Sequence, residues 1–129
     1  MRKVQSQFGK GPLQQKIAVG DLHVLADAEI GNGGSGTGPS PHEYLAVALA
    51  SCTSMTLKMY AERKTWKLVN ATVTVVIERV NDVEVFVRDI QLLGDLDLEQ
   101  KERLLDIATK CPIHKALAGE IQIKTQLVN

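Results

Sequence analysis

Aromatic residues are scarce in this chain, with two Tyr, two Phe and one Trp among 129 residues. A core built without them must rest on Leu, Ile, Val, Ala and Met. Net charge is absent as well, because 15 Lys and Arg balance 15 Asp and Glu. That balance argues against the basic face that nucleic-acid binding requires, and it favours self-association over charge steering. Long apolar runs are missing. The smoothest stretch, Tyr44 to Ala50, falls far short of the roughly 20 residues of a membrane span. The opening Met1-Arg2-Lys3-Val4-Gln5 is polar and carries no signal-peptide apolar segment, so a cytoplasmic location without a membrane partner is the default expectation. Cysteine is limited to Cys52 and Cys111. In a reducing compartment such a pair is a poor structural staple. It reads either as two unrelated core residues or as one catalytic pair. What remains, 44% apolar residues in one domain's length, predicts a single globular domain over 1–129.

Turn residues punctuate the first third. Val4–Phe8, Gln15–Val19 and Leu22–Ala26 read as short strands, separated by Gly9-Lys10-Gly11-Pro12 and Gly20-Asp21. With the glycine-rich Gly31–Gly38 they make up a segment spanning 1–38. The glycine-rich stretch lacks the Gly-Lys-Ser/Thr ending of a P-loop and does not sit in a βαβ unit. It reads as a mobile access loop rather than a phosphate cradle.

Ser40-Pro41-His42-Glu43 is a helix start, with Ser40 as cap, Pro41 at the first position and Glu43 at the capping-box position. Leu45, Ala48, Leu49, Cys52, Met55, Thr56 and Met59 follow at three- and four-residue steps, predicting one apolar stripe on a long helix over 39–65. The β-branched run Thr72–Ile77, the Asn81-Asp82 turn and the stretch from Val83 predict an antiparallel hairpin over 71–93. Asp97 and Gln100 form a second capping box, ahead of an inner face of Leu98, Leu104, Leu105, Ile107 and Ala108. Cys111-Pro112 breaks that helix, and Pro112 starts a third one, so that 97–119 holds two helices. Ile121, Ile123 and Leu127 alternate with polar residues and predict a last strand over 120–128. The order gives an α+β fold with mainly antiparallel pairing.

Cys52 sits mid-helix among Ser51, Thr53 and Ser54. A free cysteine there packs as a small hydrophobe, or serves as a thiol with room around it. Cys111 stands at an expected helix start, where unpaired N–H groups favour thiolate, with His114 one turn away as a further source of charge. It caps the helix, reacts, or does both. A zinc set of Cys52, Cys111, His114 and His42 lacks paired Cys-x-x-Cys spacing and is a weak reading. The 59-residue separation of the cysteines excludes a thioredoxin-type motif.

The chain resembles the OsmC/Ohr superfamily, and specifically its OsmC-like branch. Gly38-Pro39-Ser40-Pro41-His42-Glu43-Tyr44-Leu45, Ala48-Leu49-Ala50-Ser51-Cys52-Thr53-Ser54-Met55-Thr56 and Lys58-Met59-Tyr60-Ala61 are similar to its central helix. Leu104 to His114 is similar to its second cysteine motif, and Ile121-Gln122-Ile123-Lys124-Thr125 to its closing strand. The resemblance implies a long central helix packed by sheet in an interlocked homodimer. It implies thiol-based reduction of organic hydroperoxides with no metal or flavin cofactor. By that likeness Cys52 attacks the peroxide, Cys111 resolves the sulfenic acid as a disulfide, and an external dithiol reductant, of lipoyl type for example, restores the pair.

Two features depart from the family pattern. Its peroxidases carry a glutamate ten positions before the first cysteine, paired with an arginine from the N-terminal strands. This chain has His42 at that position and Glu43 one residue later. In the early turn it has Lys10, with Arg2 as an outside candidate. Lysine supplies charge but not the arginine fork. The expected site is therefore Cys52 and Cys111 tuned by Glu43 and Lys10, with His42, Met55, Met59 and His114 lining it. A non-enzymatic redox sensor, or a binder of small apolar ligands, is the alternative.

Overall fold

The computed structural model describes residues 1–129. The chain divides into two compact units, Met1–Ala46 and Val47–Asn129. Strand pairing gives the reason. β1 (Val4–Phe8), β2 (Gln15–Val19) and β3 (Leu22–Ala26) make one antiparallel meander, while β4 (Lys67–Val80) and β5 (Val83–Asp95) make a separate two-stranded sheet. The remaining elements are α1 (Pro41–Arg63), α2 (Leu98–Ala108) and α3 (Pro112–Ala118), so the class is α+β with antiparallel sheets.

In the first unit, β1 and β2 pair from Val4↔Val19 to Phe8↔Gln15, and β2 and β3 from Gln15↔Ala26 to Val19↔Leu22. The glycine-rich stretch is not the loose loop expected. The buried Asp27 carboxylate accepts from Ala28 N–H (2.8 Å), Thr37 N–H (3.1 Å) and Thr37 Oγ1 (2.6 Å). Gln14 Nε2 donates to Thr37 Oγ1 at 2.9 Å. Gly34 lies so close to the Ala28 carbonyl that a Cβ would meet its oxygen at 2.0 Å, so only glycine fits. The capping box ahead of α1 forms as the sequence suggests. Ser40 N–H donates to Glu43 Oε1 (2.8 Å), and Glu43 N–H to Ser40 Oγ (3.2 Å).

In the second unit, Asn81 and Asp82 take positive φ of 50° and 63°, the left-handed pair that a two-residue hairpin turn needs. The hairpin runs from Lys67↔Asp95 to Val80↔Val83, with an irregularity between Leu68 and Asn70 opposite Gly94. A Cβ on Gly94 would meet Lys67 O at 2.0 Å, which fixes glycine there. Asp97 and Gln100 close the capping box of α2 at 2.8 and 3.0 Å.

The core lies where α1, the hairpin and α2 meet. Leu57, Ala61, Leu104, Ile107 and Ala108 are buried, with Trp66, Leu68, Ile90 and Leu92 packed against them. Leu57 and Leu104 are fully buried, each contributing about 2 kcal/mol of hydrophobic stabilisation.

Three expectations need correction. The buried face of α1 is Leu49, Thr53, Leu57 and Ala61, whereas Leu45, Met55 and Met59 of the expected stripe are exposed. Apolar residues occur around the whole helix, so spacing alone does not select a face. On α2, Leu98 and Leu105 are likewise exposed, because packing against α1 and the hairpin uses only Leu104, Ile107 and Ala108. The strand expected over 120–128 is absent, and residues 120–129 hold no regular structure. Alternation gives a segment two faces, but a strand needs a neighbour to bond, and this segment has none within its own chain.

Candidate functional site

The site lies within the second unit. α1 carries Cys52 and Thr53, the link between α2 and α3 carries Cys111, α3 carries His114, and β5 carries Arg88. Pro112 occupies the first turn of α3, and Cys111 is its N-cap in extended conformation. The His114 N–H donates to Cys111 Sγ at 3.2 Å. The sulfur is fully buried. Thr53 Oγ1 lies 3.8 Å from it, and the Cys52 side chain, on the neighbouring residue of α1, lies close enough to act on its ionisation. The fold thus brings into one neighbourhood two cysteines that are 59 positions apart in sequence.

Arg88 anchors this cluster. Its Nη1 donates to Thr53 Oγ1 (3.1 Å) and to the Ala108 carbonyl (3.2 Å), and its Nη2 lies 3.0 Å from His114 Nδ1. A guanidinium only donates, so Nδ1 accepts and bears no proton in this contact. The positive charge beside Cys111 is therefore that of Arg88. His114, expected as a source of charge, contributes its backbone N–H instead.

Burial pushes the Cys111 thiol up. The His114 N–H, the Cys52 and Thr53 side chains and the Arg88 charge act the other way and prevail, leaving Cys111 below the ordinary thiol value. Thr53 has one hydroxyl proton, directed at the Leu49 carbonyl at 2.6 Å.

Arg88 and His114 also line a cavity of ≈ 410 Å³, with Leu49, Phe86, Leu117, Ala118 and Glu84. It offers an apolar wall of Leu49, Phe86, Leu117 and Ala118 with three polar groups, Glu84, Arg88 and His114, the usual make-up of a small-molecule site.

Of the residues expected at the site, Cys52, Cys111 and His114 come together. Met59 lines a different cavity with Ile107, Lys110 and Pro112, while Met55 is exposed. Lys10, Arg2, His42 and Glu43 belong to the first unit. There the Lys10 backbone N–H donates to Gln14 Oε1 (2.9 Å), and the Glu43 carboxylate serves the capping box. The zinc set does not assemble, since no three His, Cys, Asp or Glu converge. Arg88 escaped the sequence reading, although a signal existed. It shares strand parity with Ile90 and Leu92, which face the core, so an arginine there must point inward and find acceptors.

Comparison with known proteins settles the family. The model for OsmC-like proteins matches residues 31–126. The chain belongs to the OsmC-like family. Solved structures share the fold of this OsmC-like chain at low identity. An OsmC-like protein of Mycoplasma pneumoniae has a TM-score of 0.80 at 16% identity, covering 92% of this chain and 88% of that one. An osmotic-stress-induced and detoxification-response protein of Psychrobacter arcticus has a TM-score of 0.77 at 22%, covering 90% and 88%. An organic hydroperoxide resistance protein of Bacillus subtilis has a TM-score of 0.61 at 22%, covering 96% and 95%. No curated protein matches the chain. No helix of this OsmC-like chain is long and apolar enough to cross a membrane.

Proposed function

We propose that this OsmC-like protein reduces organic hydroperoxides through the Cys52–Cys111 pair and is recycled by a dithiol. The observation that carries the reading is one cluster in which Thr53, next to Cys52 in α1, lies 3.8 Å from Cys111 Sγ and accepts from Arg88 at 3.1 Å. Cys52 is half-buried and is the sulfur a peroxide can reach, whereas Cys111 is fully enclosed. Cys52 therefore attacks the peroxide oxygen and becomes a sulfenic acid, and Cys111 condenses with it to a disulfide. The buried partner limits over-oxidation, because it sits next to the sulfenic acid at the moment of formation. Arg88 supplies the fork of donors that Lys10 cannot. No metal or flavin takes part in this scheme, and the cytoplasm supplies the reductant.

The working form is a homodimer. Met55, Met59, Val69, Val76 and Leu93 are exposed, apolar surface that a second copy of the chain could cover. The alternating Ile121 and Ile123, also exposed, suit pairing with a second copy. Sedimentation at micromolar concentration should give twice the chain mass, and a monomer would contradict this.

The test of function is consumption of an alkyl hydroperoxide with a dithiol reductant, set against hydrogen peroxide and a monothiol. Turnover with the first pair, lost in Cys52→Ser, supports the reading. The ≈ 410 Å³ cavity favours one alternative, a sensor or binder of small apolar ligands. That alternative predicts protection of the thiols by ligand without steady-state turnover.

A further inference from the structure

We propose that the ≈ 410 Å³ cavity beside Arg88 and His114 is a binding site for a small apolar monocarboxylate, with the carboxylate on those two side chains and the apolar chain along Phe86. The assignment goes beyond the hydroperoxide reading and holds whether or not the thiols turn over peroxide.

The cavity is polarised along its length. One wall is a single face of β5, because Glu84, Phe86 and Arg88 stand two residues apart and point the same way. The facing wall is one side of α3, where His114, Leu117 and Ala118 recur at three- and four-residue steps. Leu49, from the buried face of α1, completes the apolar lining. Glu84 and Arg88 lie four residues apart, about 13 Å at the usual strand rise, with Phe86 between them. The result is a cationic end, an apolar middle and an anionic rim.

Donors are in surplus at the cationic end. A guanidinium carries five N–H groups. Arg88 commits one to Thr53 Oγ1, one to the Ala108 carbonyl and one to His114 Nδ1, which leaves one on Nε and one on Nη2. His114 adds another, because Nδ1 accepts from Arg88 and the ring proton is therefore on Nε2. Arg88 and His114 are both half-buried, where an ionic contact is screened less than in water. A carboxylate offers two coplanar oxygens to paired N–H donors and carries the opposite charge, so it suits this end better than a hydroxyl or a carbonyl does.

The rim works in the opposite sense. The Glu84 side chain is 37% exposed and pairs with Arg79 at 3.1 Å, while Arg79 also reaches Asp82 at 3.9 Å. One cation shared by two carboxylates leaves the rim net negative. A second acid group at the far end of a ligand would meet that charge, whereas an apolar tail would not. The cavity therefore selects a monoacid over a diacid of the same length.

An Arg88 that served only to tie α1, α2 and α3 together would leave the cavity indifferent to ligand charge. Octanoate, octanol and octanedioate are titrated into the full chain by calorimetry, with amide shifts followed by NMR. Octanoate should bind saturably, with octanol weaker by roughly tenfold or more, and the shifts should fall on Phe86, Arg88, His114 and Leu117. Octanedioate should bind about threefold or more weakly than octanoate, and the gap should close in Glu84→Gln. Arg88→Lys should keep part of the preference for octanoate over octanol, and Arg88→Gln none. Octanol binding as tightly as octanoate, or shifts confined to other residues, would overturn the proposal. So would a diacid penalty unchanged in Glu84→Gln, an exposed position whose test does not require an Arg88 variant to fold. Peroxide enters none of these measurements. Octanoate binding without hydroperoxide turnover would therefore sink the peroxidase reading alone.

Discussion

Asp27 in the first unit and Cys111 in the second are both buried acids held by their neighbours' donors. Asp27 receives two backbone N–H groups and one hydroxyl at 2.6 to 3.1 Å, with the Thr37 hydroxyl the largest influence, and its carboxyl is held below the usual carboxylate range. Cys111 has a weaker and longer set, at 3.2 and 3.8 Å, with a guanidinium behind it. Burial pushes its thiol up, yet the donors and the Arg88 charge bring it below its ordinary value. Both groups shift in one direction, but they start from opposite sides of neutrality. Lowering a carboxyl that is already ionised at neutral pH adds only structure, and here it pins a glycine-rich loop. Lowering a thiol moves its ionisation toward the pH at which chemistry occurs.

The contrast can be broken at several points. Cys52→Ser carries the largest expected effect, a loss of hydroperoxide turnover on the order of 10³-fold or more, read as peroxide consumed per enzyme. Arg88→Leu comes next. It strips Thr53 and the Ala108 carbonyl of a donor and should cost about 1–3 kcal/mol in urea unfolding, while raising the pH at which the thiolate absorbance appears. Arg88→Lys should recover part of the charge effect and little of the geometry. Thr53→Val keeps the volume at a fully buried position and removes the hydroxyl. It should cost about 1 kcal/mol and shift the thiolate titration upward in the same way but by less.

In the first unit, Asp27→Asn should lower Tm by about 5 °C and speed amide exchange at Thr37 and Gly36, with no change in the thiol titration. The smallest effect is the pH dependence of stability. Both groups have depressed folded-state values, so each stabilises the fold fully above its unfolded pKa and ceases to do so as pH falls through its folded one. For Asp27 that loss lies on the acid side, below the ordinary carboxylate range. For Cys111 stability rises as pH climbs toward the ordinary thiol value. Chemical denaturation across pH should therefore show Asp27→Asn flattening the acid limb and Cys111→Ser the alkaline limb. The reverse pairing would refute the contrast.

Local chemistry made much of this readable from the residue order. Glycine and proline mark the turns around β2, Asn81-Asp82 marks the hairpin turn, and Asp97 with Gln100 marks the start of α2. Pro112 placed Cys111 at a cap, and the capping bond to the His114 N–H forms. Periodicity failed where the chain offered too many apolar positions. Met55 and Met59 carry the right spacing on α1, yet Thr53 takes the buried place. It failed again at Ile121 and Ile123, where alternation without a neighbouring strand yields no strand. The family's N-terminal pattern points to Lys10 and Arg2 as cations, whereas Arg88 is marked only by its inward parity on β5.

Residue order alone fixed the turns, the caps and the α+β class, because each depends on the conformational limits of a few adjacent residues. It also fixed membership of the OsmC-like family, since the cysteine motifs are local. Which face of α1 is covered, which cation stands beside Cys111, and that Cys52 and Cys111 come near each other were settled by folding. Those outcomes depend on how α1, β5, α2 and α3 pack around one shared volume, and packing joins positions that no short stretch of chain can relate.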